Sequence, residues 1–365
     1  MRILIPVLNF GKSGGNRVLS KLADELIYLG HTVDFLSSGM SGPPYFPTKA
    51  GIKWVDDSGA IKNKHSKNQI TKDSFFSIQD KLTKALKRFP KDSYDLIIAN
   101  QSLTTLPIKK AGLLYKTVYY VQAYEPDLYC VMGGIKNRLL AYLSAKSYRM
   151  NLFTIVNAEP YFNYKRLKSS RVLYPGIDFN YFYPKVENRC SKDNKKIIIG
   201  TIGRPELFKG TRYVVEAFEK LKKKYPFIEL HLAFTDPKDF KNCDGIFCFR
   251  PDGDEELGKF YRSLDYYICA GYVQLGTFHY PVVEAMSCGI SVITTSYYPA
   301  NETNAWVTIP QSADDIVKHF ELAQNDPDLK EKKIKQALID VKQFEWRQIG
   351  KKLNNYLKEF FNSKH

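Results

Sequence analysis

Short apolar runs that stop at glycine-containing turns and lead into amphipathic helical segments recur in both halves of the chain. This alternation restricts the fold to the α/β classes. At the N-terminus RILIPVL reads as a buried strand, GKSGGN as a glycine-rich turn, RVLSKLADELIYLG as an amphipathic helix ended by Gly30, and HTVDFLS as a second strand. Together they make a βαβ unit. Residues 38–72 are polar and carry no assignable period. A helix-like segment near 74–89 then precedes YDLIIAN, TVYYVQ, a helix at 136–149 and the strand NLFTIVN. The stretch from Tyr174, with Pro175, Gly176 and Pro184 followed by a polar run, predicts a linker near 180–195. A second alternation starts at Lys195: KIIIGTIG, a helix at 211–224, IELHLAF, GIFCF, the helix EELGKFYRSL, DYYICAG, VVEAMSCG and SVITTS. The segment WRQIGKKLNNYLKEFF reads as an amphipathic helix able to reach back to the first domain. The expected organisation is two α/β domains, 1–185 and 186–345, with a returning helix at 346–365.

A chain of 365 residues can bury two cores, and 44% hydrophobic with 14% aromatic residues excludes a largely disordered protein. Cys130, Cys190, Cys243, Cys248, Cys269 and Cys288 form no CxxC pair and no zinc-ligand spacing, which points to reduced packing residues. No stretch approaches the roughly 18 uninterrupted apolar residues of a membrane span, and the N-terminus enters a strand without a signal-peptide layout. A cytoplasmic location is expected.

The net charge of +16 is uneven: residues 1–185 hold 27 Lys and Arg against 13 Asp and Glu, whereas 186–365 hold 27 against 25. The excess in the first half suggests an anionic partner, such as a phospholipid surface, a lipid diphosphate acceptor or nucleic acid. Generic lysine enrichment competes with that reading, because Lys62, Lys64, Lys67 and Lys72 share one exposed-looking segment. Nucleic acid is disfavoured, since zinc-finger, RRM and KH signatures are missing and the aromatics are not interleaved with a basic stripe. Gly11-Lys12-Ser13 fails as a phosphate-binding loop because Pro6 stands where the first glycine is required. GKSGGN likewise lacks the spacing of a dinucleotide fingerprint.

Two stretches carry the chemistry. In GTIGRPELFKG an apolar run ends at a glycine, and Arg204 and Lys209 flank a tight turn before a helix, a combination that favours phosphate. In GTFHYPVVEAMSCG a turn built from Gly276, Thr277 and Pro281 places Glu284 on the first turn of a short helix, where a carboxylate can accept bonds from ribose hydroxyls. Taken singly, the two cations could be solvated loop charges and Glu284 a complement to the helix dipole. As a set, the three read as a nucleotide-sugar site.

With GRPELFKG, DEELGKFYRSLDYYI and PVVEAMSCGISVITT in hand, the chain resembles the glycosyltransferase family 4 enzymes, most strongly over about 197–310. The resemblance implies the GT-B fold: two Rossmann-like α/β/α domains facing a central cleft, with the C-terminal helix packing back on the first. It implies a retaining, metal-independent transferase with no cofactor, moving a sugar from a nucleotide-diphosphate donor to a glycan or lipid-linked glycan. Cell-surface polysaccharide or lipopolysaccharide assembly, at the inner face of the membrane, is the expected setting. The residues assigned to catalysis are Arg204 and Lys209, on the diphosphate, and Glu284, on the ribose. Gly203 and Gly15 join them on the donor, while Asn16 and Arg17 of the N-terminal turn, which begins at Gly14, face donor or acceptor.

Two departures accompany the resemblance. The glutamate that usually stands eight residues before the ribose-binding one is replaced by Gly276. Main-chain groups of Thr277, Phe278 and His279, with the His279 ring, are expected to hold the sugar instead, although that ring could equally be satisfied by a carbonyl. An apolar wall at Phe278 and Tyr280 would suit a 6-deoxysugar. Many relatives carry a histidine near YYVQAYEPDLY, where this chain has Gln122, Tyr124 and Glu125; Gln122 and Glu125 are expected at the acceptor, with a structural cap as the alternative for Glu125. Asp252-Gly253-Asp254 mimics a metal-binding DxD, but Asp254 is better placed as a helix N-cap. A catalytically impaired partner subunit that keeps the nucleotide pocket is the competing functional class.

Overall fold

The computed structural model describes residues 1–38, 42–65, 75–184, 196–240 and 243–363. It divides into two units, residues 1–176 with 346–365, and residues 177–345. Most of the expected linker lies outside the described residues, as do Lys67, Lys72 and Cys190.

In the first unit the elements are β1 (Arg2–Val7), α1 (Gly14–Tyr28), β2 (Thr32–Ser37), β3 (Gly51–Val55), β4 (Ile61–Lys62), α2 (Phe75–Arg88), β5 (Leu96–Ala99), α3 (Ser102–Lys110), β6 (Thr117–Val121), α4 (Glu125–Met132), α5 (Gly134–Ser147) and β7 (Phe153–Val156). The sheet order is β4-β3-β2-β1-β5-β6-β7, and every pair except β3–β4 is parallel. Strands β1, β5 and β6 are almost wholly buried, as expected of parallel strands covered on both faces. Strands β3 and β4 fall where the polar stretch 38–72 showed no period; β3 is a five-residue edge-side strand whose Trp54 and Val55 alone are buried.

The second unit contains β8 (Ile197–Ile202), α6 (Thr211–Lys224), β9 (Ile228–Ala233), β10 (Ile246–Phe249), α7 (Gly253–Arg262), β11 (Tyr266–Cys269), α8 (Tyr280–Ser287), β12 (Ser291–Thr294), β13 (Trp306–Val307), α9 (Ala313–Asn325) and α10 (Pro327–Asp340). Its sheet, β10-β9-β8-β11-β12-β13, is parallel throughout. Strand order reverses beside β1 in one sheet and beside β8 in the other. In such sheets ligands bind at the carboxyl ends of the strands at this switch point.

Residues 177–184 belong to the second unit although the sequence placed them in the first domain. The Phe182 ring packs 6.2 Å from that of Tyr261, and Arg262 Nη1 donates to the Tyr181 carbonyl at 2.6 Å. The last helix, α11 (Trp346–Asn362), is part of the first unit. It buries Ile349, Leu353, Leu357 and Phe360 at helical spacing, each such side chain contributing about 1.5–3 kcal/mol. Polar contacts fix its register: Arg347 Nη1 lies 3.0 Å from Glu25 Oε2, and His31 Nε2 lies 2.8 Å from Asn354 Oδ1.

Candidate functional site

The site in the second unit begins where β8 runs out of sheet. The Gly203 amide donates to the Ala233 carbonyl at 2.8 Å, which holds the exit of β8 against β9. The turn that follows is closed by Thr211, whose hydroxyl accepts from the Arg204 amide and donates to the Arg204 carbonyl, both at 3.0 Å. A single 3-10 turn over Leu207–Lys209 then reaches Gly210, which has φ 74° and presses against the Ala270 carbonyl so closely that a Cβ would overlap it. The Tyr272 amide donates to the Phe208 carbonyl at 3.1 Å. The turn bearing Arg204 and Lys209 is thereby seated on the chain leaving β11, and the two loops flank the switch point.

Neither cation is neutralised from within. Among the described residues no carboxylate forms an ion pair with Arg204 or Lys209. The Arg204 guanidinium is exposed and lies 5.6 Å from the Phe234 ring centroid. The Lys209 ammonium is half-buried, and desolvation lowers its pKa, only partly offset by Cys269 and Glu206. Burial, reinforced by the Lys209 charge, drives the pKa of His279 well below the usual imidazole value, so that ring is neutral. It stacks on Tyr297 with centroids 4.5 Å apart, and its Nδ1 lies 3.6 Å from the Cys269 sulfur.

His279 is the N-cap residue of α8, which runs Tyr280–Ser287, so Glu284 falls on the second helical turn and not the first. The helix starts at Tyr280 with Pro281 in its first turn, where the missing amide costs no intrahelical bond. Glu284 is 2% exposed, and its Oε2 accepts from the Tyr261 hydroxyl at 2.8 Å. Thr277 is buried, with its hydroxyl donating to the Gln274 carbonyl at 2.7 Å and its own carbonyl accepting from the Tyr298 amide at 3.0 Å. The Phe278 ring is 8% exposed and packs edge-on to Tyr280 and Phe344, each at 5.2 Å, so it serves the core of the unit and offers no open apolar wall. Gly276 has φ 78°, a conformation that a glutamate adopts only with strain. A cavity of about 630 Å³ opens on the Arg204 side, lined by Val215, Phe234 and Phe240, by Arg212 and Arg250, and by carboxylates that include Glu216 and Asp236.

The candidate residues of the first unit divide. Gly14, Gly15 and Asn16 form the first turn of α1, three residues ahead of the hydrophobic period, because Ser13 caps the helix through its side chain. Gly15 faces the Gln122 side chain at the end of β6: a Cβ there would stand 3.4 Å from Gln122 Oε1. Asn16 is tied back to the Gly11 carbonyl at 3.2 Å, and Arg17 is buried with its guanidinium 5.3 Å from the Phe46 ring centroid. Glu125 caps α3: each carboxylate oxygen lies 3.1 Å from the Ser102 amide, and Oε2 accepts from the Tyr148 hydroxyl at 2.8 Å. Burial raises its pKa above the usual carboxylate value. The expected acceptor contact of Glu125 thus gives way to the cap.

The DxD mimic also rearranges. The N-cap of α7 is Asp252, whose amide donates to Glu256 Oε2 at 2.7 Å, and Asp254 lies inside the first turn with Glu255 and Glu256. Those three acids complement the helix dipole. Among the described residues no group of three or more His, Cys, Asp or Glu side chains converges. Tyr261, Cys269 and Tyr297 escaped the sequence reading: Tyr261 and Cys269 sit in apolar-looking helix and strand runs and Tyr297 in the loop after β12, and only the fold reveals that their polar atoms meet Glu284, His279 and Val273 respectively.

Residues 184–339 match the family model described as glycosyl transferases group 1. Among curated proteins no match to the chain is found. Solved structures match over the whole chain. Sucrose-phosphate synthase from Thermosynechococcus elongatus aligns with TM-score 0.78 at 17% identity, covering 99% of each chain. Anabaena HepE, solved in complex with UDP and glucose, aligns with TM-score 0.69 at 15% identity, covering 98% of this chain and 100% of its own. WaaG, a glycosyltransferase involved in lipopolysaccharide biosynthesis, aligns with TM-score 0.70 at 14% identity, covering 97% and 99%. The chain has the GT-B fold, and residues 184–339 of it are similar in sequence to the group 1 glycosyl transferases.

Proposed function

We propose that the protein is a retaining glycosyltransferase of family 4 type that moves a sugar from a nucleotide-diphosphate donor to a glycan or lipid-linked glycan. The observation that carries this reading is the pair of uncompensated cations, Arg204 and Lys209, on a turn packed against the loop that leads to His279 and the buried Glu284. The two cations would bind the diphosphate, and Glu284 the ribose, by exchanging or sharing its bond to Tyr261. Cations and helix-terminal amides held in place before reaction stabilise charge on the leaving diphosphate without reorganisation, and this requires no metal. Loss of either cation should lower turnover by on the order of 10²–10³. Main-chain groups of 277–279 and the neutral His279 ring would hold the sugar, since Phe278 is committed to the core. In the first unit, Gln122 with Asn16 would form the acceptor surface, and the basic charge of that unit would favour an anionic membrane. Polysaccharide or lipopolysaccharide assembly at the inner membrane face fits such an acceptor.

Thermal-shift titration with UDP-, dTDP- and GDP-sugars tests the proposal: stabilisation by one nucleotide class supports it and fixes the base, and stabilisation by none refutes it. The backbone at Gly276, which disfavours the usual glutamate, also suits a nucleotide-binding partner subunit of a transferase complex. Slow hydrolysis of the bound donor to free sugar would decide for the enzyme; binding without hydrolysis would decide for the partner subunit.

A further inference from the structure

We propose that the corner between α4 and α5 is the docking element for an anionic lipid bilayer. At this corner the ordinary arrangement of an amphipathic helix is inverted. The residues that α5 fully buries are small, namely Ala141, Ser144, Ala145 and Ser147; Leu140 and Leu143 are half-buried, and its other large apolar residues point outward. Ile135, Leu139 and Tyr142 recur at spacings of four and three, which places them on one face, and they are 88%, 49% and 61% exposed. Val131 and Met132, the last residues of α4, extend the ridge at 49% and 59% exposure. Single exposed apolar residues are ordinary on a protein surface, but five within twelve positions form a patch of the kind that marks an interaction site.

Charge identifies the occupant. No aspartate or glutamate occurs between Asp127 and Glu159, whereas Lys136, Arg138, Lys146 and Arg149 all lie in that interval and are all exposed. Lys136 and Arg138 flank the ridge on either side, and the Lys146 ammonium lies 4.5 Å from the Tyr142 ring centroid. An aliphatic ridge bordered by cations matches the acyl boundary and the phosphates of an anionic leaflet at the same depth. A second copy would set like charges against like charges across a self-complementary contact. Nucleic acid would leave Ile135 and Met132 unmatched. No helix among the described residues is long and apolar enough to cross a membrane, so the contact is interfacial.

Position gives the contact its purpose. Helix α4 starts four residues beyond β6, at the same carboxyl edge of the sheet as Gly15 and Gln122. The corner would therefore hold the proposed acceptor surface beside the lipid headgroups. This purpose, though not the docking itself, rests on the lipid-linked acceptor proposed above.

Co-sedimentation of the full-length protein with vesicles tests the inference. The protein should partition onto phosphatidylcholine vesicles containing phosphatidylglycerol, weakly onto phosphatidylcholine alone, and less as salt rises. The double substitution Met132→Ser/Ile135→Ser should lower the partition coefficient about tenfold or more, and Lys136→Ala or Arg138→Ala about fivefold each. Their thermal midpoints should match wild type, since all four side chains are exposed. Absent partition, equal partition onto both vesicle types, or partition indifferent to M132S/I135S would overturn the proposal, as would a wild-type dimer that I135S dissociates. Donor hydrolysis in vesicle-free buffer separates the two readings: its absence with intact partition refutes the transferase and leaves the docking, and its presence without partition does the reverse.

Discussion

The Tyr261 hydroxyl donates to Glu284 Oε2 at 2.8 Å, with both side chains buried in the second unit. The bond joins α7 to α8 and sets the rotamer of the carboxylate assigned to the ribose. Tyr261→Phe removes the donor and leaves a buried carboxylate short of a partner, which should cost about 1–3 kcal/mol of stability. Affinity for a nucleoside diphosphate should fall with it. A double-mutant cycle with Glu284→Gln, read by denaturant unfolding, should return a coupling energy clearly different from zero; additive effects would show that the bond does not organise the carboxylate.

Lys209 supplies a pH signature. Desolvation lowers its pKa from the ordinary lysine value, so the folded state binds fewer protons than the unfolded state in the alkaline range, and stability contributed by this site rises with pH there. A bound diphosphate favours the charged form and pulls the pKa back up. Nucleotide binding near pH 9 should therefore take up protons, detectable by calorimetry in buffers of different ionisation enthalpy. Lys209→Ala should abolish the uptake, and uptake that persists in that variant would assign it elsewhere.

Glu125 is predicted to matter for stability and not for donor binding. Glu125→Gln keeps the shape of the cap but weakens acceptance from the Ser102 amide, costing about 0.5–2 kcal/mol. Because burial raises the folded-state pKa, this group's stabilisation is fully present below the unfolded value and is lost as pH rises through the folded one. The variant's stability should lack that decline, measured by thermal midpoints across the acid range, while its nucleotide affinity stays at the wild-type level. A large loss of affinity would contradict the cap assignment.

Restoring the family glutamate should fail. Gly276 has φ 78°, and Gly276→Glu should destabilise the second unit by about 1–2 kcal/mol without raising donor turnover. A stable variant with faster turnover would mean that the loop tolerates the usual sugar contact.

The alternation of strands and helices was legible because buried parallel strands such as LIIA at β5 and amphipathic helices such as α6 each carry their own period. Helix α3 was not, since its run SLTTLPIKK contains Pro107 and paired threonines and is stabilised from outside by the carboxylate of Glu125. Helices α9 and α10 and strand β13 also escaped notice: β13 is only two residues long, and α10 buries little beyond Lys333 and Ala337. Among the candidate site residues, the placement of Arg204 and Lys209 on the turn after β8 was legible from turn chemistry alone. The roles of Glu125, Phe278 and Arg17 were not, because each is decided by a partner distant in sequence: Tyr148, Phe344 and Phe46.

The central claim is that Arg204 and Lys209 hold a diphosphate while Glu284 holds the adjoining ribose. Isothermal titration of wild type, Arg204→Ala, Lys209→Ala and Glu284→Gln with a nucleoside diphosphate and with inorganic pyrophosphate tests it most directly. The account predicts that the two cation variants lose affinity for both ligands, whereas Glu284→Gln loses affinity for the nucleotide and keeps it for pyrophosphate. Unchanged binding of both ligands in the cation variants, or equal losses for both in Glu284→Gln, would contradict it.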